Sequence, residues 1–380
     1  MGDNNIVVRD VVSKADRDKF LALPLKVSAD DPMFVPQLFF ERREHISPKK
    51  NPFFEHADVQ LFLAERDGEV VGRISAQVNH LHLERYGDAT GQFGFLDAID
   101  DPEVFRVLLD HAADWLGKRG IKRMQGPFSF SINEEAGVLI DGFDTPPAIM
   151  MPHNWPYYQR HMETAGLQKA KDLIAYDFDG LFDRPRAIEL IASKAKKSGD
   201  LTVRPLSKKH MARDLNIIID IFNDAWSKNW NFVPMTKAEI TALGETLRFL
   251  VKEDYIAIAS FKGEPAAMAV TLPDINDWIK DLKGRLLPFG WAKVLWELYG
   301  KTPKAMRMPL MGVKKKFHGS PVGSALALVV IEQLFRYHKT RGVQRGELSW
   351  VLEDNMPTRK VIENLSGKPY KTYRIYERAI

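Results

Sequence analysis

The feature that most constrains the fold is an internal repeat. Short segments of the first half of the chain recur in the second half, in the same order and at nearly constant spacing. The matched positions are Val8 and Val203, Pro36 and Pro234, Gly68 and Gly263, Asn154 and Asn355, and Gly166 and Gly367. The spacing is 195 residues for the central glycines (263 − 68) and 201 residues for the last pair (367 − 166). Self-similarity of this kind indicates a structural unit that is present twice. We therefore predict two tandem domains, residues 1–192 and 200–380, with a linker near 193–199.

Each half contains a predicted β-hairpin. Two apolar runs flank the dipeptide Asp67-Gly68 in the first half and Lys262-Gly263 in the second, and such dipeptides are typical of tight hairpin turns. An opening strand and one or two helices precede the hairpin in both halves.

After the hairpin, each half shows a strand, an amphipathic helix and another strand. The first strand is predicted at 91–99 and at 305–313, and the helix ends at Gly120 or Gly342. A helix between two strands predicts that the strands are parallel. The fold class is therefore α/β, with a mixed sheet in each half.

The composition describes a globular chain without cysteine chemistry. Hydrophobic residues make up 45% and charged residues 27% of the sequence, so a sizeable core is expected. The absence of cysteine excludes disulfides, thiolate nucleophiles and cysteine metal ligands. The polar N-terminus predicts neither a secretory signal nor a transit peptide, and no apolar run is long enough to span a membrane. We expect a cytoplasmic protein that could lie at the inner face of the membrane.

Charge and motifs limit the partners. A net charge of +4 without a localised patch does not indicate nucleic acid. Neither a HExxH pair nor an acidic calcium loop occurs, so we predict no metal.

A glycine-containing loop precedes the long helix of the second half. Three lysines follow the strand that ends at Val313, and then comes the run His318-Gly319-Ser320-Pro321-Val322-Gly323-Ser324. Unpaired N–H groups and partial positive charge at a helix N-terminus favour a bound phosphate, although Pro321 supplies no N–H. The first half has the acidic stretch 96–102 at this point, so only the second half is predicted to hold a phosphate. The alternative is a basic turn before an ordinary core helix.

The order of elements and this loop resemble the acyl-CoA-dependent N-acyltransferases of the GNAT superfamily, here in tandem. The family loop has the form (Gln/Arg)-x-x-Gly-x-(Gly/Ala), and this chain departs from it at His318 and Pro321. The resemblance implies two tandem GNAT-like domains and a coenzyme A thioester, acetyl-CoA or long-chain acyl-CoA, as co-substrate. The residues it implies for binding that thioester are Met311, Val313, Lys316, His318, Gly319, Ser320, Val322, Gly323, Ser324 and Asn355. The tyrosine acid of the family falls on Ile362 here.

The chemistry requires that the attacking amine lose a proton, so a general base is needed. Glu347 and Glu353 are separated by an even number of positions on one predicted strand and would share a face, while His318 is a third candidate. Glu353 also fits a helix-capping turn. The aromatic residues Trp226, Trp230 and Trp350 are candidates for covering the acceptor, with core packing as the alternative.

The first half contributes a polar and aromatic cluster on loops, where binding residues are common. Its members are Asn133, Glu134, Asn154 and Tyr157. We predict that they bind substrate, and the alternative is that they form a seam between the halves.

One stretch, 277–304, has no counterpart in the first half. Tryptophans, leucines and a phenylalanine alternate there with lysines and an arginine. This pattern suits a helix that lies in an anionic membrane interface or covers an apolar acceptor. The alternative is a helical core hairpin that is broken at Pro288.

These observations predict an acyl-CoA-dependent N-acyltransferase that acts on an amine. The insertion favours a lipid or sphingoid-type amine and a long acyl donor, with an acyl carrier protein as an alternative donor. In size and pattern the chain is similar to the bacterial ceramide synthases. Two alternatives stay open: a catalytically inactive binding or regulatory protein of this fold, and an aminoacyl-tRNA-dependent aminoacyltransferase.

Overall fold

A computed structural model describes residues 5–179 and 199–380, without the side chains of 246–249. The linker predicted near 193–199 lies, apart from Gly199, outside the described residues.

The described chain contains the predicted elements in the predicted order, together with further short strands and helices. The strands are β1 (Ile6–Asp10), β2 (Ala57–Arg66), β3 (Glu69–Asn79), β4 (Thr90–Ala98), β5 (Arg123–Gly126), β6 (Phe128–Ser129), β7 (Glu135–Ala136), β8 (Val138–Asp141), β9 (Gln168–Asp179), β10 (Leu201–Pro205), β11 (Ile256–Phe261), β12 (Glu264–Pro273), β13 (Ala305–Val313), β14 (Arg345–Leu352) and β15 (Lys368–Ala379). The helices are α1 (Lys14–Val27), α2 (Phe39–His45), α3 (His80–Tyr86), α4 (Pro102–Gly117), α5 (Tyr157–Thr164), α6 (Met211–Trp226), α7 (Lys237–Leu250), α8 (Asn276–Ile279), α9 (Gly290–Gly300), α10 (Pro321–Thr340) and α11 (Met356–Asn364).

Contacts group the chain into two compact units. Unit 1 contains Met1–Ile174, Asn276–Lys293 and Tyr370–Ile380, and unit 2 contains Ala175–Ile275 and Val294–Pro369. The units differ from the sequence halves because two segments of the second half belong to unit 1. For the terminal segment the reason is strand pairing, since Tyr376–Ala379 of β15 lies antiparallel to Arg123–Gly126 of β5.

Unit 1 is built on a mixed sheet. Strands β1, β2, β3 and β4 are successively antiparallel, β5 joins β4 in parallel, and β15 pairs with β5 and β8. The β2–β3 turn places Asp67 and Gly68 at positive φ, as a two-residue hairpin requires. Helix α4 packs its leucines, such as Leu108 and Leu109, on the apolar face of β3. This packing forms the core of the unit.

Unit 2 repeats this arrangement. Strands β10 to β13 are successively antiparallel, and β14 joins β13 in parallel. Lys262 and Gly263 form the same positive-φ turn. Helix α10 buries Leu326, Val329 and Val330 against β11 and β12. The predicted mixed α/β fold class and the parallel strand pair in each half are confirmed.

Candidate active site

Two parallel strands of unit 2 stop pairing part of the way along their length, and we name the region between their unpaired ends the cleft. β13 and β14 pair from Ala305 with Arg345 to Met308 with Leu348, and no further pair of these strands occurs among the described residues. The ends of both strands therefore border a gap. β13 also bulges against β12 at this level, which bends the strand.

Two backbone N–H groups of β13 face this cleft. In an antiparallel pair, residues that bond to the partner strand alternate with residues whose N–H and C=O point the other way. Lys314 bonds to β12 through its N–H, so Val313 and Met311 belong to the other set. Their carbonyls accept hydrogen bonds from Nε2 of His318 at 2.7 Å and from Nε1 of Trp226 at 3.1 Å. The N–H groups of Met311 and Val313 point away from β12 and are placed to bond a ligand.

The loop after β13 folds back on the strand through His318. Gly319 takes a φ of +70°, in the left-handed region that favours glycine. The side chain of Ser320 caps α10, and Pro321 occupies the first helical position, where its missing N–H is not needed by the helix. Gly323 is required for close packing, because a Cβ there would lie 2.1 Å from the carbonyl oxygen of Phe317.

Of the predicted phosphate donors in this loop, three are used internally. The N–H of Ser320 donates to Phe317 O at 3.2 Å, that of Gly323 to the Ser320 hydroxyl at 3.0 Å, and that of Ser324 to Ser320 O at 3.1 Å. Among the described residues, the N–H groups of Gly319 and Val322 make no such hydrogen bond within the loop. With the partial positive charge of the 20-residue helix α10, these two groups fit a diphosphate, although with fewer donors than predicted.

The three lysines of this loop contact carboxylates. Lys316 lies 2.6 Å from Glu264, and Lys314 lies 2.8 Å from Asp220. The hydrogen bond to Asp220 is the largest cause of the raised pKa of Lys314. The contact of Lys316 with a phosphate stays a prediction, and it requires that the ammonium group leave Glu264.

The matching position in unit 1 does not fit a phosphate. α4 is capped by the carboxylate of Asp101, which accepts from the N–H of Glu103 at 2.9 Å and lies 2.6 Å from Arg66. The space beside β4 is also filled, because the N–H of Phe95 donates to the Ser129 hydroxyl at 3.2 Å. An anion at this helix would meet a negative charge.

A buried polar chain crosses the paired part of β13 and β14 in unit 2. Nε of Arg307 donates to Oγ of Ser349 at 3.1 Å, and Ser349 donates to Oε1 of Glu347 at 2.7 Å. The guanidinium group also lies over the ring of Trp350, 5.1 Å from its centroid. Glu347 is only 3% exposed. Arg307 and Ser349 were missed from the sequence; the available signal was a charged residue inside the apolar strand AMRMPLMGV.

The second candidate carboxylate lies elsewhere. β14 ends at Leu352, so Glu353 is in the following turn and does not share a strand face with Glu347. This prediction was wrong because the strand is shorter than its pattern. Asn355 is the N-cap of α11 and accepts from the N–H of Thr358 at 3.3 Å, which supports the capping interpretation of this turn.

Two predicted tryptophans lie at the end of α6 and in the turn after it. Trp226 ends α6, bonds Met311 as described and packs on Phe222. Trp230 is half-buried in the turn that follows α6. Trp226 thus combines core packing with a direct contact to the bordering strand.

The polar cluster predicted in the first half is largely structural. Asn154 bonds both the N–H and the C=O of Leu139, at 2.8 and 3.1 Å, and the Tyr157 hydroxyl donates to Ala98 O at 2.8 Å. The N–H of Asn133 donates to the Ser131 hydroxyl at 3.2 Å. These bonds hold loops in place, and the predicted substrate contacts of Asn154 and Tyr157 stay a prediction.

Glu134 belongs to a partly buried ionic group in unit 1. It accepts from the N–H groups of Phe130 and Ser131 at 2.6 and 3.2 Å and lies 3.2 Å from His45. Burial is the largest influence and raises its pKa, but His45 and the two N–H groups outweigh burial and leave the pKa below the ordinary value.

A cavity of about 110 Å³ lies beside this group, within unit 1. Its charged lining forms close pairs, with Arg42 and Glu135 at 3.1 Å and Arg73 and Asp97 at 2.7 Å. Because each charge has an opposite neighbour, the lining does not select a ligand of either sign.

Metal clusters and membrane-spanning helices are both absent from the described part of the chain. No group of three or more His, Asp or Glu side chains in residues 5–179 and 199–380 has a geometry that would hold a metal ion. None of the described helices is long and apolar enough to cross a membrane.

Comparison with solved structures defines the class of protein. A tandem GNAT protein from the clavulanic acid biosynthesis pathway, solved without AcCoA, matches 99% of this chain and 98% of its own chain with a TM-score of 0.57. At 13% sequence identity this likeness shows the fold alone. No protein-family model matches the chain. The fold of the chain is that of tandem GNAT proteins.

Two relatives are much more similar in sequence. Protein YghO of Escherichia coli (strain K12) is 43% identical over 376 residues, which cover 98% of this chain and 95% of that protein. Bacterial ceramide synthase of Caulobacter vibrioides (strain NA1000 / CB15N) is 43% identical over 377 residues, with coverage of 99% and 98%. The chain therefore belongs to the family of tandem GNAT acyltransferases that includes these two proteins. The predicted family and enzyme class are confirmed.

Proposed function

We propose that unit 2 binds an acyl-CoA and transfers its acyl group to the amine of a lipid, with a sphingoid-type base as acceptor and a long-chain acyl-CoA as donor. The observation that carries this proposal is the cleft between β13 and β14, with two N–H groups on its strand and two more at the adjoining helix N-terminus. The choice of a lipid amine is supported by the 43% identity to a protein named bacterial ceramide synthase.

The residues of the cleft have distinct parts in the proposed reaction. The N-terminus of α10 holds the diphosphate through Gly319 and Val322. One of two N–H groups, that of Met311 or that of Val313, donates to the thioester oxygen and stabilises the negative charge that the oxygen gains. The amine nitrogen forms a bond to the thioester carbon, the carbon–sulfur bond breaks, and the sulfur leaves as a thiolate.

Glu347 is the proposed base. It takes the proton that the amine nitrogen loses by way of bridging water, because its partner in the strand register, Arg307, lies four residues before Met311 on β13. Ser349 and Arg307 orient its carboxylate through the hydrogen bonds described above. A base already held in one orientation does not need to reorganise during the reaction.

The test is product formation by the purified full chain. Acetyl-CoA, palmitoyl-CoA and a palmitoyl acyl carrier protein are each offered with a sphingoid base and with a short polar amine, and products are identified by mass spectrometry. Release of free thiol gives a second readout, to which the protein adds no background because it contains no cysteine. Product only with the sphingoid base and palmitoyl-CoA supports the proposal in full.

Other outcomes correct the proposal in defined ways. Product with the polar amine alone overturns the lipid acceptor, and product with the carrier protein alone overturns the CoA donor. CoA binding without any product supports an inactive binding protein. Fractionation of cells tests the expected cytoplasmic location.

Two matched variants test the base. Glu347→Gln keeps the size and polarity of the side chain but cannot take a proton, so kcat should fall by about 10²–10⁴-fold with little change in the KM for acyl-CoA. Glu353→Gln, in the turn, should cost far less. The reverse order of effects would assign the base to Glu353.

A further inference from the structure

Helix α9 and the loop before it expose apolar side chains over a continuous stretch of chain. Leu287 and Phe289 in the loop are 77% and 78% exposed, and Trp296 in the helix is 68% exposed. The full set, which we name the apolar face, is Leu287, Phe289, Trp291, Leu295, Trp296 and Tyr299. Exposed apolar side chains clustered in this way mark a site of interaction more often than an ordinary surface.

The orientation of α9 is opposite to that of a usual surface helix. Successive residues turn by about 100° around a helix, so Trp291, Leu295 and Tyr299 lie on one side. That side faces solvent, while Leu298 is buried and the charged Lys293 and Glu297 are partly covered. A surface helix normally turns its charged residues outward and its apolar residues inward. The apolar side of α9 is therefore available to something other than the core of the protein.

The charge of residues 277–304 indicates which kind of surface the apolar side of α9 contacts. Residues 277–304 contain six cationic and three anionic side chains, a net charge of 6 − 3 = +3. Three cations have an anionic neighbour within the segment, as with Lys301 and Glu297 at 2.8 Å. Lys283, Arg285 and Lys304 have no ion pair within the described residues and are exposed. A positive segment with exposed aromatic rings is complementary to an anionic apolar surface.

We propose that the apolar face docks on the surface of a membrane that contains anionic phospholipids. The aromatic rings enter the headgroup region, where tryptophan and tyrosine are favoured, and the cations meet lipid phosphates. A second copy of the chain is a poorer occupant, because two segments of charge +3 would repel each other. Membrane docking goes beyond the proposed function, since it requires no acyl transfer and is measured without substrate.

The experiment measures flotation of the full chain with vesicles. Vesicles of phosphatidylcholine alone are compared with vesicles that also contain phosphatidylglycerol, at low and at high salt. The wild type should float with the anionic vesicles, less so at high salt because salt screens the cations. Phe289→Glu and Trp296→Glu should each weaken this partition by about tenfold or more, which corresponds to at least about 1.4 kcal/mol.

Matched variants distinguish a change in the apolar face from a general effect of added charge or of unfolding. Val12→Glu places the same charge at a site that is 74% exposed and lies outside the segment, so it should float as the wild type does. Arg285→Glu should reduce binding mainly at low salt. Thermal unfolding of each variant shows that it is folded.

Three results would overturn the docking proposal. The first is a wild type that ignores anionic vesicles. The second is a Trp296→Glu variant that floats as the wild type does. The third is a dimer, detected by light scattering, that forms in place of vesicle binding and that Trp296→Glu abolishes, because the face would then be a self-association surface.

Discussion

A buried histidine in unit 2 allows a quantitative prediction about stability and pH. Nε2 of His338 lies 2.8 Å from the hydroxyl oxygen of Thr271, and that hydroxyl donates its proton to the carbonyl of Tyr255 at 2.7 Å. The histidine must therefore donate from Nε2. Its Nδ1 is buried and has no hydrogen-bond partner within the described residues. A second proton on the ring would be a buried donor without an acceptor, and burial lowers the pKa of His338 to about 4.

The sign and size of the effect follow from this pKa. The pKa of a histidine in the unfolded chain is about 6.5, so between pH 6.5 and 4 the unfolded state binds more protons than the folded state. The free energy of unfolding therefore falls as the pH falls through this window and levels off below it. The whole loss is about 3 kcal/mol, of which about 2 kcal/mol is present near pH 5.

The assay compares the wild type with His338→Gln, which keeps a donor for Thr271 and cannot be protonated at this site. Thermal unfolding is followed from neutral pH to about pH 5. The wild type should lose about 2 kcal/mol more than the variant over this range, which is a difference of about 4–8 °C in Tm for a unit of this size. His80→Gln, on an exposed side chain, is the control and should follow the wild type. Parallel curves for the wild type and His338→Gln would refute the argument.

Three further predictions concern unit 2. Gly323→Ala should abolish CoA binding, measured by calorimetry, because the new Cβ would lie 2.1 Å from Phe317 O and would force the loop to move. An unchanged affinity would show that the loop does not bind CoA. Ser320→Ala should cost about 1 kcal/mol in the free energy of unfolding through loss of the N-cap, whereas Ser320→Asp should restore it. Asp214→Asn should destabilise unit 2 by about 1–3 kcal/mol in chemical unfolding, because the fully buried carboxylate loses its charge-assisted hydrogen bonds to Arg204, at 2.7 and 2.8 Å, while the partly exposed guanidinium group stays in contact with solvent. A loss below about 0.5 kcal/mol would contradict this.

Local features of the fold could be predicted from the sequence because they depend on neighbouring residues. The strand predicted at 305–313 has those bounds in the structure. The two hairpin turns form at the predicted dipeptides, since glycine and its neighbour adopt positive φ there. Helix α10 starts at Pro321, directly after the serine that caps it, which is the usual order of start signals.

Features that depend on distant residues could not be predicted. The terminal strand β15 pairs with β5, which lies far earlier in the chain, and no local pattern specifies that partner. The three lysines of the loop have a composition that suits phosphate, but Asp220 and Asp224 on α6 lie next to two of them. A run of basic residues in a sequence shows neither which group each side chain contacts nor where it points.

The candidate site shows the same division between local and distant information. The loop and the bordering strand are contiguous in sequence and were predicted together. The polar chain from Arg307 through Ser349 to Glu347 joins two strands, which a sequence does not show to be neighbours. Of its three residues, only Glu347 was selected as a candidate, because a carboxylate can act as a base. Asn154 and Tyr157 are polar residues on a loop and looked functional, yet both bond to the backbone of neighbouring segments.

The two units differ at matched positions in a way that explains why one of them is the proposed site of catalysis. The strand register pairs Arg307 with Glu347 in unit 2 and Gln92 with Gln125 in unit 1, so a charged pair in one unit replaces two amides in the other.

The helix that follows the fourth strand differs as well. It is capped by the neutral Ser320 in unit 2 and by the carboxylate of Asp101 in unit 1. An anion at the N-terminus of α10 therefore meets no carboxylate cap, whereas at α4 it meets the carboxylate of Asp101, which is paired with Arg66. Replacing Asp101 with serine should not create a binding site in unit 1, because the carbonyl of Phe128 still lies so close to β4 that a Cβ on Gly94 would be 1.8 Å from its oxygen. Unit 1 thus differs from unit 2 both in the charge of its helix cap and in the space beside its fourth strand.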